Sequence, residues 1–288
     1  MKLKKLKDFD NKPIKYKHLN YPQSKNLDLP RNYFTALFIG QTGTGKTHAL
    51  IKLLKYYEDF PPYDNDSNLI PQRIILFSPT YQSNPEFKVL KNLSEDDVIE
   101  EYSDKLLQEI IDDIKTVKEE AEHYQDLLKA YKKFLRVSVE GLTNKELLLL
   151  YSINFEPSNI IEPRFKINPV NHLIFDDLVC TSAYKQNGLL SQYTTKCRHL
   201  GINIYCLAQS VSQITRLIRT QSRLLILYRY NSKSVVDDIY ELVSSTFTPE
   251  EFQNLYLTIT EEKYNFLTID NTSTSLKVKK NFEYEIVK

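Results

Sequence analysis

The sequence predicts an α/β fold in which a mostly parallel sheet carries helices on both faces. Apolar runs of strand length recur along the 288 residues, and polar or helix-like stretches separate them. Continuous apolar runs are typical of strands that are buried on both faces, and their alternation with helical stretches favours parallel pairing. The predicted strands lie within residues 34–39, 73–80, 172–177, 202–209, 223–229 and 264–270.

The composition is that of a globular protein that can bury a core, since 41% of the residues are hydrophobic and 26% are charged. No apolar run approaches the roughly 20 residues that cross a bilayer, and the first residues lack the apolar stretch of a secretory signal. We therefore expect an intracellular protein without membrane association. Three cysteines without C-x-x-C spacing indicate reduced, buried thiols rather than a disulfide framework or a zinc site.

The charge of the chain gives no global signal of nucleic-acid binding. The formal net charge is +1, whereas proteins that bind DNA through their overall field carry a strong basic excess. Any DNA contact must therefore be local. Residues 1–30 are interpreted as a basic N-terminal arm, either a solvated segment or a tether for DNA or a partner; its lysines are Lys2, Lys4, Lys5, Lys7, Lys12, Lys15 and Lys17.

The most informative motif is the segment GQTGTGKT at residues 40–47, which matches the phosphate-binding loop G-x-x-x-x-G-K-[ST]. Glycines let successive backbone N–H groups surround a phosphate, Lys46 neutralises the β- and γ-phosphates, and the Thr47 hydroxyl binds Mg²⁺. A predicted strand precedes the loop and a predicted helix at 47–57 follows it, as the motif requires. The sequence thus predicts a nucleoside triphosphate site formed by Gly40, Gln41, Thr42, Gly43, Thr44, Gly45, Lys46, Thr47 and His48.

A helical insertion is predicted at about residues 94–160. Ser94 is a suitable N-cap for a helix that opens with three acidic residues, and apolar side chains then recur at steps of three and four. These are Leu107, Ile110, Ile114, Val117, Ala121, Tyr124, Leu128, Tyr131 and Leu135. We expect the stripe to pack on the nucleotide domain or on a shorter helix at 144–151, with an oligomer or partner contact as the alternative. Residues 31–288 are then one P-loop domain carrying this insertion.

Polar residues end two of the later predicted strands. Asp176 follows an apolar run as the acidic residue of a Walker B strand does, and a carboxylate there can hold Mg²⁺ on a triphosphate. Asp177 is placed to orient and deprotonate an attacking water. Gln209 ends the next strand, where an amide can contact the γ-phosphate or that water. Asp176 is therefore the predicted metal ligand, and Asp177 and Gln209 are predicted catalytic residues.

The order of these motifs resembles the genome-packaging ATPases of large DNA viruses and virophages, the poxvirus-type branch of the FtsK/HerA superfamily. The matching segments are residues 38–47, 76–82, 173–177 and 198–203 leading to Gln209, with weaker likeness at 218–223 and 264–270. The phosphate loop alone does not indicate this family, because many nucleotide-binding proteins contain it. The segments SPTYQ at 78–82 and RHLGIN at 198–203 are more specific to this family.

This resemblance implies a RecA/FtsK-like ATPase that uses ATP and Mg²⁺ to drive double-stranded DNA into a capsid. It implies a homo-oligomeric ring, a hexamer or a pentamer, that docks on capsid or portal proteins in the host-cell cytoplasm or in the virion. Lys46 would be catalytic, and Arg223 or Arg219 would act on the nucleotide of a neighbouring subunit, with Arg198 as the next candidate. Cellular relatives usually carry Glu where Asp177 stands, so a water positioned by Asp177 would be shifted.

Two other function classes also begin with a strand, a phosphate loop and a helix. A nucleoside or nucleotide kinase would show an arginine-rich lid and would not need Gln209, and a non-hydrolysing structural subunit would bind nucleotide without turnover. The motor interpretation accounts for all the motifs in their order. For its DNA contact, the segment 181–198 is the candidate loop, because it carries basic and aromatic residues: Lys185, Lys196, Arg198, Tyr184 and Tyr193.

Overall fold

The computed structural model describes residues 21–64, 67–137, 139–178, 181–186 and 188–286. Its strands are β1 (Gln23–Ser24), β2 (Thr35–Ile39), β3 (Pro62–Tyr63), β4 (Gln72–Phe77), β5 (Leu93–Ile99), β6 (Val170–Phe175), β7 (Ile202–Ala208), β8 (Ser222–Tyr228), β9 (Phe266–Asp270), β10 (Lys277–Lys280) and β11 (Tyr284–Glu285). Its helices are α1 (Lys46–Asp59), α2 (Asp104–Val137), α3 (Asn144–Ser152), α4 (Leu189–Leu200), α5 (Arg216–Gln221), α6 (Lys233–Glu241) and α7 (Pro249–Ile259).

A nine-stranded sheet organises the fold, in the order β11-β10-β9-β8-β2-β7-β6-β4-β5. Neighbours from β8 to β5 pair in parallel, and β9, β10 and β11 extend one edge in antiparallel fashion. Along β2, Leu37 and Ile39 belong to one core while Ala36 and Phe38 belong to the core on the opposite face. This alternation across a fully buried strand confirms the predicted α/β fold with helices on both faces of a mostly parallel sheet.

The six predicted strands are all present, but the helix predicted to open at Ser94 is wrong. Residues 93–99 form β5, which pairs in parallel with β4, and α2 begins at Asp104. Asp97 is buried and accepts hydrogen bonds from the Arg73 guanidinium, with Nη2 of Arg73 2.5 Å from Oδ1 of Asp97. An acidic run that looks like a helix opening is therefore a strand, because its central carboxylate has a buried partner on β4 that the local sequence does not reveal.

The long helix α2 confirms the expected packing of the insertion. Its first half packs against α4 and the main core, and its second half packs with α3 in a small separate core formed by Leu127, Ala130, Leu150 and Ile153. The predicted stripe departs from the observed one in this second half, since Leu135 is exposed and Leu127 is buried. The buried stripe shifts around the helix because α2 changes its packing partner from α4 to α3. A partner contact by the insertion stays a prediction.

Residues 21–30, assigned above to the basic arm, lie against the domain where they are described. The Pro30 carbonyl accepts a hydrogen bond from the Tyr57 hydroxyl at 2.6 Å, and the Asp28 carbonyl accepts one from Lys279 at 2.6 Å. The lysines at positions 2–17 lie outside the described residues, as does Cys180. Cys197 and Cys206 are buried free thiols. Within the described part of the chain, every helix is too short or too polar to traverse a bilayer.

Candidate functional site

The loop between β2 and α1 has the backbone conformation that phosphate binding requires. Gly43 and Gly45 have φ values of 76° and 94°, in the left-handed region that favours glycine. At Gly40 a Cβ atom would stand 2.6 Å from Oγ1 of Thr44 and 2.8 Å from Cβ of Tyr228, so a side chain there would collide with both. The three glycines of the motif are thus needed for the shape of the loop, which confirms the predicted strand, loop and helix sequence.

Helix α1 begins at Lys46, directly behind the loop, with no acidic side chain in its first turn and no side-chain cap on its first N–H groups. Such a helix terminus attracts anions, because free N–H donors and the helix dipole both face outward there. Nζ of Lys46 donates to the carbonyls of Gly40 at 2.7 Å and Gln41 at 3.0 Å. Burial lowers the pKa of Lys46, while the nearby Asp176 and Asp177 carboxylates oppose that effect.

The strand order brings the predicted catalytic residues to one edge of the sheet. Because β2, β7 and β6 are parallel neighbours, their carboxyl ends lie side by side, and they carry the phosphate loop, Gln209 and the two aspartates respectively. A cavity of about 280 Å³ lies at this edge. Its lining includes Lys46, Thr47, Thr80, Asp176, Asp177 and Gln209. The structure therefore brings together the phosphate loop and the three residues predicted from later strands.

Asp176 has the environment of a metal-binding carboxylate. Its side chain is buried, and Oγ1 of Thr47 donates to its Oδ2 at 3.3 Å. Burial raises the pKa of Asp176 to about 6; Asp177 also raises it, and Thr47 and Lys46 lower it. A hydroxyl and a carboxylate fit Mg²⁺, which takes oxygen ligands and usually completes its shell with substrate phosphates and water. Among the described residues there is no group of three or more His, Cys, Asp or Glu that could hold a metal alone.

Asp177 and Gln209 border the same cavity with exposed side chains. Asp177 has a φ of 54°, an uncommon conformation for a residue other than glycine. The backbone of Gln209 is fixed on both sides, since its N–H donates to Oε1 of Gln213 at 2.9 Å and its carbonyl accepts from the Tyr230 hydroxyl. A fixed backbone with a free amide side chain is suited to contacting a phosphate or a water in the cavity.

The arginines predicted to act in trans lie at the opposite edge of the sheet. Arg223 is near the start of β8, Arg219 is in α5 just before it, and Arg198 is near the end of α4. The parallel strand β2 spans five residues, or roughly 16 Å, between that edge and the phosphate loop. The three guanidinium groups are therefore remote from the cavity of their own chain. Their action on a neighbouring subunit stays a prediction.

The segment proposed as a DNA-contacting loop is largely helical, which corrects the interpretation of 181–198 as a loop. Helix α4 occupies Leu189–Leu200, with Tyr193 buried on its inner face. At about 1.5 Å per residue, Arg198 is roughly 14 Å along the axis from Leu189, while Lys185 precedes the helix. Lys196 and Arg198 lie near the C-terminal end of α4 and Lys185 precedes the helix, so the basic residues do not gather at one loop tip. The aromatic residues that suggested a DNA surface, Tyr184 and Tyr193, are buried in the core.

Two residues of this region were missed from the sequence. Thr80 lines the cavity, and its Oγ1 is 3.2 Å from Oγ of Ser78 at the end of β4. Tyr228 ends β8 beside the phosphate loop, and its hydroxyl donates to the Gly45 carbonyl at 2.9 Å. The signal for both was their position, since each lies at or just after the carboxyl end of a strand parallel to β2.

The chain has the fold of a P-loop NTPase.

No protein-family profile and no curated protein matches the chain by sequence. Among solved structures, it is similar to the genome packaging NTPase B204 from Sulfolobus turreted icosahedral virus 2 in complex with ATP-gammaS, with 14% identity, a TM-score of 0.44, and coverage of 85% of this chain and 95% of that one.

It is also similar to the cytoplasmic domain of the Thermomonospora curvata type VII secretion ATPase EccC, with 15% identity, a TM-score of 0.43, and coverage of 91% and 28%. A third structure is the pCW3 conjugation coupling protein TcpA with ATPgS, with 16% identity, a TM-score of 0.39, and coverage of 93% and 67%. These similarities are distant.

Proposed function

We propose that this protein is an Mg²⁺-dependent ATPase whose hydrolysis of ATP drives the movement of double-stranded DNA during the packaging of a viral genome. The observation that carries the ATPase part is the meeting of four elements at one cavity: the phosphate loop, the buried Asp176, the exposed Asp177 and Gln209. A protein that only binds a nucleotide, without hydrolysing it, needs no more than the phosphate loop. The adjoining carboxylate and amide are the additional groups that hydrolysis uses.

The residues divide the chemistry between them. Backbone N–H groups of the loop and Lys46 hold the phosphates, and Thr47 with Asp176 would hold Mg²⁺, which neutralises charge on the β- and γ-phosphates. Asp177 orients and deprotonates the attacking water. Gln209 contacts the γ-phosphate or that water from a backbone fixed by Gln213 and Tyr230.

The DNA part of the proposal rests on the resemblance of segments 78–82 and 198–203 to viral packaging ATPases. In this proposal the chain forms a homo-oligomeric ring that docks on capsid or portal proteins in the host cytoplasm or the virion. A ring also gives the arginines a role, because Arg219, Arg223 and Arg198 lie at the sheet edge remote from their own nucleotide. From there the arginines would contact the γ-phosphate that a neighbouring subunit binds.

The deciding experiment is phosphate release from ATP and Mg²⁺ by the full chain, with and without linear duplex DNA. We expect hydrolysis that DNA stimulates without regard to sequence, since phosphate contacts carry no base information. A Lys46→Ala protein purified in parallel excludes a contaminating ATPase. Binding of ATP without turnover would instead support a structural nucleotide-binding subunit. Transfer of the γ-phosphate to an added nucleoside or nucleotide would support a kinase.

A further inference from the structure

A second cavity adjoins the phosphate loop on the side away from the catalytic residues. It has a volume of about 710 Å³ and shares Gly43, Gly45, His48 and Glu86 with the first cavity. In the sheet order, β8 and β9 lie on one side of β2, and β7 and β6 lie on the other. If the γ-phosphate faces Asp176, just after β6, the β8 and β9 side is the opposite side of the loop and is open to the nucleoside.

Three aromatic side chains, Tyr228, Tyr264 and Phe266, line the β8 and β9 side of this second cavity. The Tyr264 side chain lines it, remains 58% exposed, and passes 3.5 Å from the position that a Cβ atom of Gly45 would occupy. Behind it, the buried rings of Tyr228 and Phe266 have centroids 5.2 Å apart. An exposed aromatic ring beside a phosphate loop is suited to stacking on a nucleobase, because every base presents a flat π-face.

The backbone at Tyr264 supplies an independent observation. The Asn265 N–H donates to the Glu262 carbonyl at 3.2 Å, which closes a turn with Tyr264 in its third position at a φ of 70°. Turns that need a positive φ at this position usually carry Gly or Asn there. A tyrosine in this conformation is strained, and strained residues of this kind concentrate at ligand sites, where the surrounding structure holds them.

Side-chain amides hold the turn in place. Nδ2 of Asn281 donates to Oδ1 of Asn265 at 3.0 Å, and Nδ2 of Asn265 donates to Oε2 of Glu262 at 2.7 Å. The Phe266 N–H donates to Oδ1 of Asn281 at 3.0 Å, so the same network ties the turn to β9. The Tyr264 ring is thus positioned before any ligand arrives, which reduces the entropy that a stacked base would cost.

We infer that Tyr264 is the stacking platform for the base of the bound nucleoside triphosphate, and that the cavity between the phosphate loop and the 262–265 turn is the nucleoside subsite. This inference rests on the proposed function, since it assumes that the loop binds a triphosphate. It assigns the part of the ligand that the phosphate loop, Asp176 and Gln209 do not contact.

The test compares ATP with inorganic tripolyphosphate, which has the phosphates and no base. We would measure the dissociation constants of both with Mg²⁺ by calorimetry. For the parent protein we expect ATP to bind at least about tenfold more tightly than tripolyphosphate. Tyr264→Gly should weaken ATP binding about tenfold, roughly 1.4 kcal/mol, and leave tripolyphosphate binding unchanged. Tyr264→Phe, which keeps the ring, should stay within about twofold of the parent.

Two controls keep the result interpretable. Tyr264→Gly should melt at the parental temperature or above it, because glycine relieves the positive φ, so weaker ATP binding cannot be attributed to unfolding. Tyr151→Ala removes a similarly exposed tyrosine from α3 in the insertion, 63% exposed against 58%, and should bind ATP normally.

Different failures point to different errors. If Tyr264→Gly binds ATP as the parent does, or if the parent binds ATP and tripolyphosphate equally well, the base subsite is wrong and the ATPase proposal stands. If the parent binds neither ligand, the phosphate loop does not hold a triphosphate and both proposals are overturned.

Discussion

Replacement of Asp177 by Asn separates nucleotide binding from turnover. Asp177 borders the cavity with an exposed side chain and a φ of 54°. Asn is nearly isosteric and is one of the few residues that readily adopts this conformation, so the substitution removes the negative charge and leaves the turn intact. The carboxylate of Asp176, which contacts Thr47, is unchanged.

The expected changes in stability, ATP affinity and hydrolysis rate follow from the exposed position of Asp177 at the cavity. An exposed substitution that keeps its backbone conformation should change the free energy of unfolding by no more than about 0.5 kcal/mol. ATP affinity should be equal or slightly higher, because one carboxylate near the phosphates is neutralised. Loss of a general base costs about 10² to 10⁴ in rate, which corresponds to ~2.7 to ~5.4 kcal/mol in the activation free energy.

The assay is single-turnover phosphate release at saturating ATP and Mg²⁺, together with calorimetric ATP binding for each protein. Asp237→Asn on α6 is the matched control, since it makes the same change at another exposed aspartate, which is not among the residues that line the cavity. It should hydrolyse ATP at the parental rate. If Asp177→Asn turned over within about threefold of the parent, Asp177 would not be the catalytic base and the role would pass to another group of the cavity.

Three further outcomes test other parts of the molecule. Lys46→Ala should weaken ATP binding by about 10- to 150-fold, the contribution of one or two charge-assisted contacts, as measured by calorimetry; unchanged affinity would contradict the role of Lys46. Arg223→Ala should lose roughly 10³ to 10⁵ in ATPase rate and regain part of it when mixed with Lys46→Ala protein; no recovery in oligomers shown to contain both chains would argue against an arginine supplied in trans at this position. His172 is buried, and burial lowers its pKa from 6.5 to about 3. Below pH 6.5 the imidazole therefore binds a proton in the unfolded chain but stays neutral in the folded chain. Stability should therefore fall by about 1.4 kcal/mol per pH unit as pH decreases from 6.5, and His172→Gln should remove that part of the slope in urea unfolding; identical slopes would refute it.

The fold was predictable wherever a strand is buried on both faces. The strands β2, β6 and β7 are recognisable because apolar residues dominate each of them, and their ends carry the phosphate loop, Asp176 and Gln209. The strand β5 was missed because its sequence is acidic. Its pairing with β4 and the buried contact between Asp97 and Arg73, which is 24 residues away, do not show in the local sequence.

The candidate site was predictable to the extent that it follows from strand ends. Lys46, Thr47, Asp176, Asp177 and Gln209 border one cavity as the motif order suggested. Tyr264 could not be found in this way, because its proposed role depends on a turn with a positive φ and on the distance to Gly45. Neither leaves a pattern in the sequence, where a tyrosine ahead of an apolar run simply looks like the start of a strand.

The Asp176–Asp177 pair illustrates how one residue type can take two roles at one site. In a continuing strand these neighbours would point to opposite faces, so only one could reach the nucleotide. Strand β6 ends at Phe175, and the positive φ of Asp177 turns the chain, so that both residues border the same cavity. Asp176 is buried beside the Thr47 hydroxyl and Asp177 is exposed, which suits the first to a metal and the second to water. Asp suits this position, because it adopts the left-handed region more readily than longer side chains do. The turn after β6 is thus what makes the second carboxylate available to the cavity.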